Sequence, residues 1–576
     1  MKKLLFILAF ICASFVSAQA RANDRVKFEV CDGSNIYCID DALFAENGFG
    51  SAPLVETNPQ FSGGVEALQK FFDDNRKSGD AAEFDAYVAR ALKEFDVPGV
   101  AVAVVKDGKV VFAKGYGVRK LGDPMPVDDK TLFGIASNSK AFTAACLAIL
   151  VDEGKMKWDD PVIKYLPDFQ MYDPYVTREM TVRDLLVHRS GLGLGAGDLL
   201  YFPHSTYTSK EILERLRYIK PATSFRSGYA YDNILYLAAG QVITAITGKT
   251  WSEFVKERIF TPLGMTTSNT SVNQFRAGDN VAVPHVRVGG KLQTITFSDL
   301  DNNAPAGAIN SNVAEMAKWM IVQLAGGAIP DSSKRLFSEK QNREMWSAQT
   351  IVPINDPPKS LAAARPNFLA YGLGWFLSDY RGHKIASHTG GLSGMVSKVT
   401  LVPDAKLGIV VLTNQEAGGA FQAITYRLVD SFLGAPETDW IAAYSEVLKQ
   451  AQANAADVER KYQAARNANS KPSLALKNYA GTYRDAWYGD VTIALENNKL
   501  VMRFSRTPTL VGELEHFQYD TFIARWQDRS LGADAFVTFA LKPDGSIDVV
   551  KMQPVSPLTD FSYDFQDLLL KPATEK

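Results

Sequence analysis

The sequence predicts an α+β protein with an antiparallel sheet flanked by helices, followed by a C-terminal antiparallel β-barrel domain. Two hairpin-like segments, "GVAVAVVKDGKVVFAKGYG" (99–117) and "KVTLVPDAKLGIVVLTN" (398–414), stand at the two ends of a region of mostly helices and loops. Strand pairs so placed favour one antiparallel sheet assembled from distant segments. After Pro472, short alternating strands separated by Asn-Asn and Asp-Gly turns predict a small barrel or sandwich.

The order of segments predicts five parts. The first, "MKKLLFILAFICASFVSAQA", has two lysines, an apolar run and a small-residue end, which is the layout of a cleavable secretory signal. No other segment approaches about 18 uninterrupted apolar residues, so no stable membrane span is expected after cleavage. We predict a signal over 1–20, an N-terminal extension over 21–80, an α+β domain over 81–435, a helical linker over 436–472 and the barrel over 473–576. The protein is expected to be secreted, in the periplasm.

Charge and cysteines bound the function classes. The formal net charge of −2, with no basic run carrying interleaved aromatic residues, gives no indication of a nucleic-acid partner. Cys31 and Cys38 bracket "DGSNIY" and are close enough in sequence for a local disulfide in an oxidising compartment. Cys146, inside an apolar helix, is expected to be a small core residue.

The segment "SNSKAFTAACLAILVDEG" (137–154) carries the first chemical signal. Apolar residues recur at three- and four-residue steps and predict an amphipathic helix that ends at Gly154. Ser137 then falls at the helix N-terminus, where the dipole favours negative charge, and Lys140 lies one turn later on the same face. A serine hydroxyl needs such an activating neighbour to act as a nucleophile.

Two later motifs extend this signal. Tyr231 and Asn233 form a Tyr-x-Asn motif before an apolar helix, and His388 begins the run His-Thr-Gly-Gly after a β-prone segment. In this order the three motifs resemble the penicillin-recognising serine hydrolases: class C β-lactamases, D-Ala-D-Ala peptidases, D-aminopeptidases and related esterases. The resemblance covers about residues 81–435 and is supported by "LLVHRSGL" (185–192) and "APAGAINSNVAEMAKWM" (304–320).

The resemblance implies a role for each motif residue. Ser137 would be the nucleophile that forms an acyl-enzyme, with Lys140 lowering its pKa and shuttling its proton. Tyr231, as tyrosinate or within a Lys–Tyr pair, would be the general base. Asn233 would bind Lys140 and the substrate, and the backbone N–H groups of Ser137 and Gly391 would form the oxyanion hole.

The third motif departs from the β-lactamase pattern. His388, counted with the catalytic residues, stands where β-lactamases carry lysine, and Thr389 and Gly390 continue the substrate-binding wall. Because histidine is mostly neutral at pH 7, it is a weaker anchor for a substrate carboxylate, so efficient β-lactam hydrolysis is not expected. Asp232 also adds an unusual negative charge beside Tyr231, unless its side chain points away.

Competing sites are weak. The six histidines lack zinc-ligand spacing, so no metal and no cofactor are expected, and the absence of a GxSxG motif argues against an α/β-hydrolase. His188, in "VHRSGL", is interpreted as a structural residue of a turn. "GLGLGAG" (191–197) is interpreted as a flexible loop near the cleft.

The sequence therefore predicts a serine hydrolase that cleaves amide bonds of small or non-standard peptides through an acyl-enzyme on Ser137. A carboxylesterase with weak β-lactamase activity and a non-catalytic peptide or peptidoglycan binder remain the alternatives. The tail, from "NYAGTYRDAWYGDVTIALENNKLVM" onward, resembles the lipocalin-like β-barrel domain appended to such hydrolases. Such a barrel could cap the active site or form oligomer contacts, and the sequence leaves the oligomeric state open.

Overall fold

The computed structural model describes residues 27–32, 35–40 and 79–573. The chain divides into two compact units, residues 1–63 and 64–576. In the first, strands β1 (Lys27–Asp32) and β2 (Asn35–Asp40) pair as an antiparallel hairpin. The side chains of Cys31 and Cys38 and the whole signal segment lie outside the described part, so the disulfide and the export signal stay predictions.

The second unit begins with a region of helices and one large sheet. Its helices are α1 (Gly79–Phe95), α2 (Ser139–Asp152), α3 (Pro174–Glu179), α4 (Ser209–Arg215), α5 (Ile234–Thr247), α6 (Trp251–Val255), α7 (Thr261–Leu263), α8 (Ala304–Gly307), α9 (Val313–Leu324), α10 (Glu339–Met345), α11 (Gly418–Phe432) and α12 (Trp440–Ala465). Its strands are β3 (Gly99–Lys106), β4 (Lys109–Gly117), β5 (Phe133–Gly134), β6 (His285–Val288), β7 (Lys291–Thr294), β8 (Asn310–Ser311), β9 (Thr350–Ile351), β10 (Leu369–Tyr371), β11 (Phe376–Tyr380), β12 (His383–Leu392), β13 (Met395–Val402) and β14 (Leu407–Thr413).

Eight of these strands form one antiparallel sheet in the order β4-β3-β14-β13-β12-β11-β10-β9. The turn between β3 and β4 has Asp107 and Gly108 both at positive φ, 50° and 75°, as the Asp-Gly hairpin signal predicts. Strand β14 then pairs with β3, with Val410 opposite Ala103. The predicted sheet assembled from distant segments is confirmed.

Helices cover both faces of the sheet. On one face α1, α11 and α12 pack over a core that includes Val102, Ile409 and Trp440. On the other face α9 packs against β3, β4 and β14, and the remaining helices extend that core. No helix within residues 79–573 is long and apolar enough to cross a membrane.

The C-terminal domain of the second unit consists of eight antiparallel strands, which confirms the predicted barrel. They are β15 (Gly481–Asp485), β16 (Gly489–Glu496), β17 (Lys499–Phe504), β18 (Val511–Gln518), β19 (Thr521–Trp526), β20 (Ala535–Leu541), β21 (Ile547–Pro554) and β22 (Lys571–Pro572). Strand β22 pairs with β15, and the adjacent Leu570 bridges to Val550 of β21, so the barrel is nearly closed. The Asn497–Asn498 turn has both residues at positive φ.

The hydrophobic core of the barrel is continuous with the core of the helical region. Barrel residues such as Tyr488, Phe504 and Phe565 belong to the same buried cluster as Leu199 and Ile234. The barrel is therefore packed on the helical region rather than tethered beside it.

Helix α2 differs from its prediction in two ways. The α-helix begins at Ser139, and Ser137 lies in the preceding 3₁₀ turn, Ala136–Asn138. The helix is also buried on all sides from Ser139 to Leu150, not amphipathic, because it runs through the core among α5, α6 and α10. Gly154, at φ 68°, follows its end as predicted, and Cys146 is fully buried.

Candidate active site

The predicted nucleophile, Ser137, stands on a strained elbow at the entrance to α2. Ala136, just before it, has φ 49°, a region that residues with a Cβ seldom occupy. The Asn138 side chain donates to Ser397 Oγ at 2.8 Å, and Ser397 Oγ donates to the Ile135 carbonyl at 2.8 Å. These buried bonds from β13 hold the elbow and leave Ser137 partly exposed to a cavity.

Lys140 lies in the first turn of α2 and is fully buried. Its Nζ is 3.0 Å from Ser137 Oγ, 2.7 Å from Asn233 Oδ1 and 3.0 Å from the carbonyl oxygen of Ala306. Burial lowers the pKa of this ammonium from 10.5 to about 7, against the opposing charges of Asp198 and Asp232. A neutral amine is therefore accessible near physiological pH beside the serine.

Tyr231 brings its hydroxyl to Ser137 and its ring to Lys140. The hydroxyl lies near the hydroxyl of Ser137, and the ring centroid lies 4.9 Å from Lys140 Nζ. Burial raises the pKa of the phenol well above 10, so the hydroxyl stays protonated. The ring of His188 packs 4.3 Å away, centroid to centroid, and helps to fix the tyrosine.

His188 has the structural role predicted for it. It sits at φ 56° in its turn, and its Nδ1 accepts a hydrogen bond from the backbone N–H of Asp232 at 3.2 Å. Burial lowers the pKa of its ring well below 6.5, so it is neutral.

Asn233 precedes α5 and joins Lys140 to an aspartate that the sequence motifs did not indicate. Its Oδ1 accepts from Lys140, and its Nδ2 donates to Asp198 Oδ2 at 2.9 Å. Because Asp198 Oδ2 accepts from the NH₂ group, the contact fixes the orientation of the amide. Asp198 is fully buried, and burial raises its pKa to about 7.

The side chain of Asp232 points away from the serine. Its Oδ2 accepts from Ser190 Oγ at 3.1 Å, and its Oδ1 lies 4.0 Å from His188 Nδ1. Burial raises the pKa of this carboxyl to about 7, which reduces the charge that it places near Tyr231.

His388 forms part of the cavity wall but uses both ring nitrogens inside the protein. Its Nε2 lies 2.9 Å from the Tyr371 hydroxyl, and its Nδ1 lies 2.6 Å from the Thr389 carbonyl oxygen. The carbonyl needs an N–H at Nδ1, so Nε2 accepts from the tyrosine. Burial, with the charge of Lys140 second, lowers the pKa of the ring to about 3. The ring is neutral at pH 7, as the sequence predicts, and its lowered pKa makes protonation harder than in an unperturbed histidine.

The rest of the third motif brings strand β12 against the elbow. A Cβ on Gly390 would lie 2.2 Å from the Ile135 carbonyl oxygen, so only glycine allows this approach. Gly391, by contrast, opens onto the cavity, which Thr389 also lines. The structure thus brings Ser137 and Gly391 to one cavity, with Lys140, Tyr231, Asn233 and His388 around it.

The cavity above Ser137 has a volume of about 580 Å³. Among the described residues that line it, one cation and two carboxylates carry formal charge: Arg287, Glu416 and Asp560. The guanidinium of Arg287 is held by Asp96 at 2.5 Å and by the Gly290 carbonyl at 3.0 Å. The described part of the wall therefore offers no unengaged cation to a substrate carboxylate.

Part of the cavity wall comes from the barrel. Residues 558–564, which we call the roof segment, include Leu558, Phe561 and Tyr563, and all three line the cavity. The Phe561 ring meets the Tyr231 ring edge to face, with centroids 6.1 Å apart. No motif in the sequence indicated these residues. The only hint was the Gly-rich loop 191–197, whose Gly195 lies directly under Phe561.

The chain is similar in sequence to known proteins. Residues 84–433 match the family model described as Beta-lactamase, and residues 465–572 match a domain of unknown function (DUF3471). The chain is 30% identical over 504 residues to an unguisins hydrolase of Aspergillus campestris, a match covering 82% of this chain and 90% of that protein.

Two solved structures share the fold. An octameric penicillin-binding protein homologue from Pyrococcus abyssi superposes with a TM-score of 0.54 at 22% identity, covering 85% of this chain and 100% of that one. A D-amino acid amidase from Ochrobactrum anthropi superposes with a TM-score of 0.50 at 24% identity, covering 61% of this chain and 98% of that one.

Proposed function

The chain belongs to the β-lactamase family of serine hydrolases, and we propose that it cleaves amide bonds of small or non-standard peptides through an acyl-enzyme on Ser137. The observation that carries the proposal is the placement of Lys140 Nζ 3.0 Å from Ser137 Oγ, in surroundings that favour a neutral amine.

Lys140 accepts the serine proton in this proposal. A neutral amine has two N–H groups and one lone pair. The two N–H groups are matched by Asn233 Oδ1 and the Ala306 carbonyl, which directs the lone pair at Ser137 Oγ. The serine oxygen attacks the amide carbon as its proton passes to the lysine.

Tyr231 delivers the proton to the leaving group. Its raised pKa disfavours a resting tyrosinate, so of the two roles predicted for Tyr231 the Lys–Tyr pair is the better supported. The phenol donates to the departing amine as the C–N bond breaks, and the Lys140 ammonium supplies the phenol with a proton in turn. Water then cleaves the acyl-enzyme along the same route in reverse.

The backbone N–H groups of Ser137 and Gly391 stabilise the oxyanion of both steps. Gly390 allows the close approach of β12 on which this depends. Removing one such donor in a serine hydrolase costs about 3 kcal/mol of transition-state stabilisation.

The charge of the cavity supports substrates that carry no carboxylate near the scissile bond. His388 is neutral, Arg287 is engaged by Asp96, and Glu416 and Asp560 are acidic. The unguisins hydrolase and the D-amino acid amidase named above support amide hydrolysis in general. Peptide amides, and non-standard peptides without a nearby free carboxylate, are the class that we propose.

Ester hydrolysis is the second candidate, because a wall whose described cation is already engaged accepts an uncharged ester equally well. A panel of p-nitroanilides, p-nitrophenyl esters and nitrocefin separates the two. We also expect an N-acetylated D-dipeptide amide to be cleaved faster than the same dipeptide with a free carboxylate. Faster cleavage of the free acid would contradict the proposed substrate class.

The nucleophile is tested by covalent labelling. A fluorophosphonate probe should label the protein at Ser137, and Ser137→Ala should abolish the labelling. The nearby Ser393, which also lines the cavity, provides the control, since Ser393→Ala should be labelled normally. Labelling that persists in Ser137→Ala would overturn the assignment.

Export is proposed from the sequence alone. Mass spectrometry of protein recovered from outside the cytoplasm should show that residues 1–20 are missing and that Cys31 and Cys38 are bonded. An intact N-terminus with two alkylatable thiols would contradict both proposals.

A further inference from the structure

We infer that the barrel domain completes the catalytic site, with Ser562 acting as a positioning residue for Asn233 and Lys140. This inference rests on the proposed function and gives a role to the segment that matches a domain of unknown function. It is carried by an unbroken chain of buried hydrogen bonds from the roof segment to Ser137.

This series of hydrogen bonds starts at the hydroxyl of Ser562. This hydroxyl donates to Asp198 Oδ2 at 2.8 Å, and the same carboxylate oxygen accepts from Asn233 Nδ2 at 2.9 Å. Asn233 Oδ1 then accepts from Lys140 Nζ at 2.7 Å, and Nζ lies 3.0 Å from Ser137 Oγ. All the intermediate side chains are buried, so water cannot replace a missing partner without reorganisation.

These hydrogen bonds fix the orientation of the Asn233 side-chain amide, which could otherwise be reversed. An amide can present either its oxygen or its NH₂ group to a neighbour, and only the oxygen suits Lys140. Asp198 selects that orientation because it accepts from the NH₂ group, and Ser562 holds the carboxylate in place from the barrel side.

A second pair of bonds anchors the loop that carries Asp198. Asp564 accepts from the backbone N–H groups of Gly197 at 2.6 Å and Leu199 at 3.2 Å, on either side of Asp198. A Cβ on Gly195 would lie 2.8 Å from both the ring and the carbonyl oxygen of Phe561. The loop therefore contacts the roof segment at Phe561, Ser562 and Asp564.

The roof segment makes these contacts from the barrel, whereas the nucleophile and its lysine belong to the other domain. The alternative is that the same bonds only secure the barrel to its neighbour. The two roles predict different results when the Ser562 hydroxyl is removed. A positioning role predicts slower chemistry with an intact fold, and a docking role predicts lower stability with normal chemistry.

The test compares three variants of the full chain. Ser562→Ala removes the hydroxyl, Ser562→Thr restores one, and Ser546→Ala removes a different barrel hydroxyl, which lies outside the cavity and donates to Asp544 of its own turn. For each protein we would measure the rate of fluorophosphonate labelling, kcat and KM for a p-nitrophenyl ester, and the melting temperature.

We expect labelling and kcat to fall by about tenfold in Ser562→Ala, with KM within twofold of wild type, because the loss affects lysine placement rather than binding. Ser562→Thr should recover most of the rate, and Ser546→Ala should behave as wild type. Asp198→Ala, which removes the acceptor shared by Ser562 and Asn233, should lose more than Ser562→Ala.

Normal labelling and kcat in Ser562→Ala would overturn the inference. A loss that Ser562→Thr does not recover, or that Ser546→Ala shares, would also overturn it and leave only a docking role. Failure of wild-type protein to be labelled at Ser137 would instead contradict the proposed function itself, so the two failures are distinguishable.

Discussion

Two buried lysines lie on opposite faces of the central sheet and share one electrostatic property. Lys140, at the start of α2, has no exposed surface, and Lys398, on β13, is 8% exposed. Burial lowers the pKa of each from 10.5 to about 7. By pKa alone the two could not be told apart.

Their neighbours differ. Lys140 contacts the hydroxyl of Ser137, and the charges of two aspartates favour its ammonium form. Lys398 contacts the side-chain oxygen of Gln422 and lies 5.1 Å from the Tyr426 ring centroid, on the face covered by α11. A perturbed lysine therefore identifies a catalytic group only when a nucleophile and a cavity are within reach.

The largest expected effect comes from substituting each lysine in turn. Lys140→Ala should reduce turnover by at least about a hundredfold, because the serine loses its proton acceptor. Lys398→Met should leave kcat/KM within twofold of wild type. The measurement is steady-state hydrolysis of a p-nitrophenyl ester. Similar losses in the two variants would remove Lys140 from the mechanism.

The tyrosines beside the two lysines provide a matched pair. Tyr231→Phe should reduce turnover by about a hundredfold, the scale for loss of a proton-transfer partner, since its hydroxyl reaches Ser137. Tyr426→Phe, beside Lys398, should have no effect on kcat. Near-normal turnover in Tyr231→Phe would show that its hydroxyl transfers no proton.

The pH dependence of catalysis should come from the active-site group that contains Lys140, and not from Lys398. Below pH 7 the ammonium predominates and cannot accept the serine proton, so kcat/KM should fall by up to about tenfold per pH unit. Asp198, Asp232, His188 and His388 surround this lysine, so the acidic limb belongs to the group as a whole. Lys398→Met should leave the limb in place. A shifted limb in that variant would contradict the comparison.

The effect of pH on the free energy of unfolding should come from Lys398. Between about pH 7 and 10.5 the unfolded chain protonates residue 398 and the folded chain does not, so burial of this lysine lowers the free energy of unfolding as the pH falls through that window. Lys398→Met should therefore raise the free energy of unfolding at pH 7 by roughly 1–4 kcal/mol. Urea unfolding should show a smaller gain at pH 9, and an equal gain at both values would contradict this account.

The smallest expected effect comes from placing a lysine on the cavity wall. His388→Lys would add a cation where the neutral ring stands, so the ratio of kcat/KM for a penicillin to that for a neutral ester should rise by a few-fold. The lysine must also be accommodated beside Tyr371, which limits the gain. An unchanged or falling ratio would mean that residue 388 does not set the preference for an anion.

Much of the fold could be predicted because its signals are local. The Asp107–Gly108 turn needs two positive φ angles, and its residue types indicate them directly. The burial of α2 on all sides could not be read from its periodicity, because that depends on which helices pack around it. The same limit applies to Asp232, whose side chain is turned towards Ser190 by a contact 42 residues away.

The spacing of Ser137 and Lys140 is a property of the sequence, because three residues in one helical turn bring the side chains together whatever surrounds them. The close approach of β12 to Ser137 likewise depends on the glycine at position 390, because no other residue type fits against Ile135. Asp198 and Ser562 carry no such signal. They meet across 364 residues, and only the docking of the barrel places the hydroxyl beside the carboxylate. A buried hydrogen bond depends on distances of tenths of an ångström, which local residue preferences do not determine and tertiary packing does.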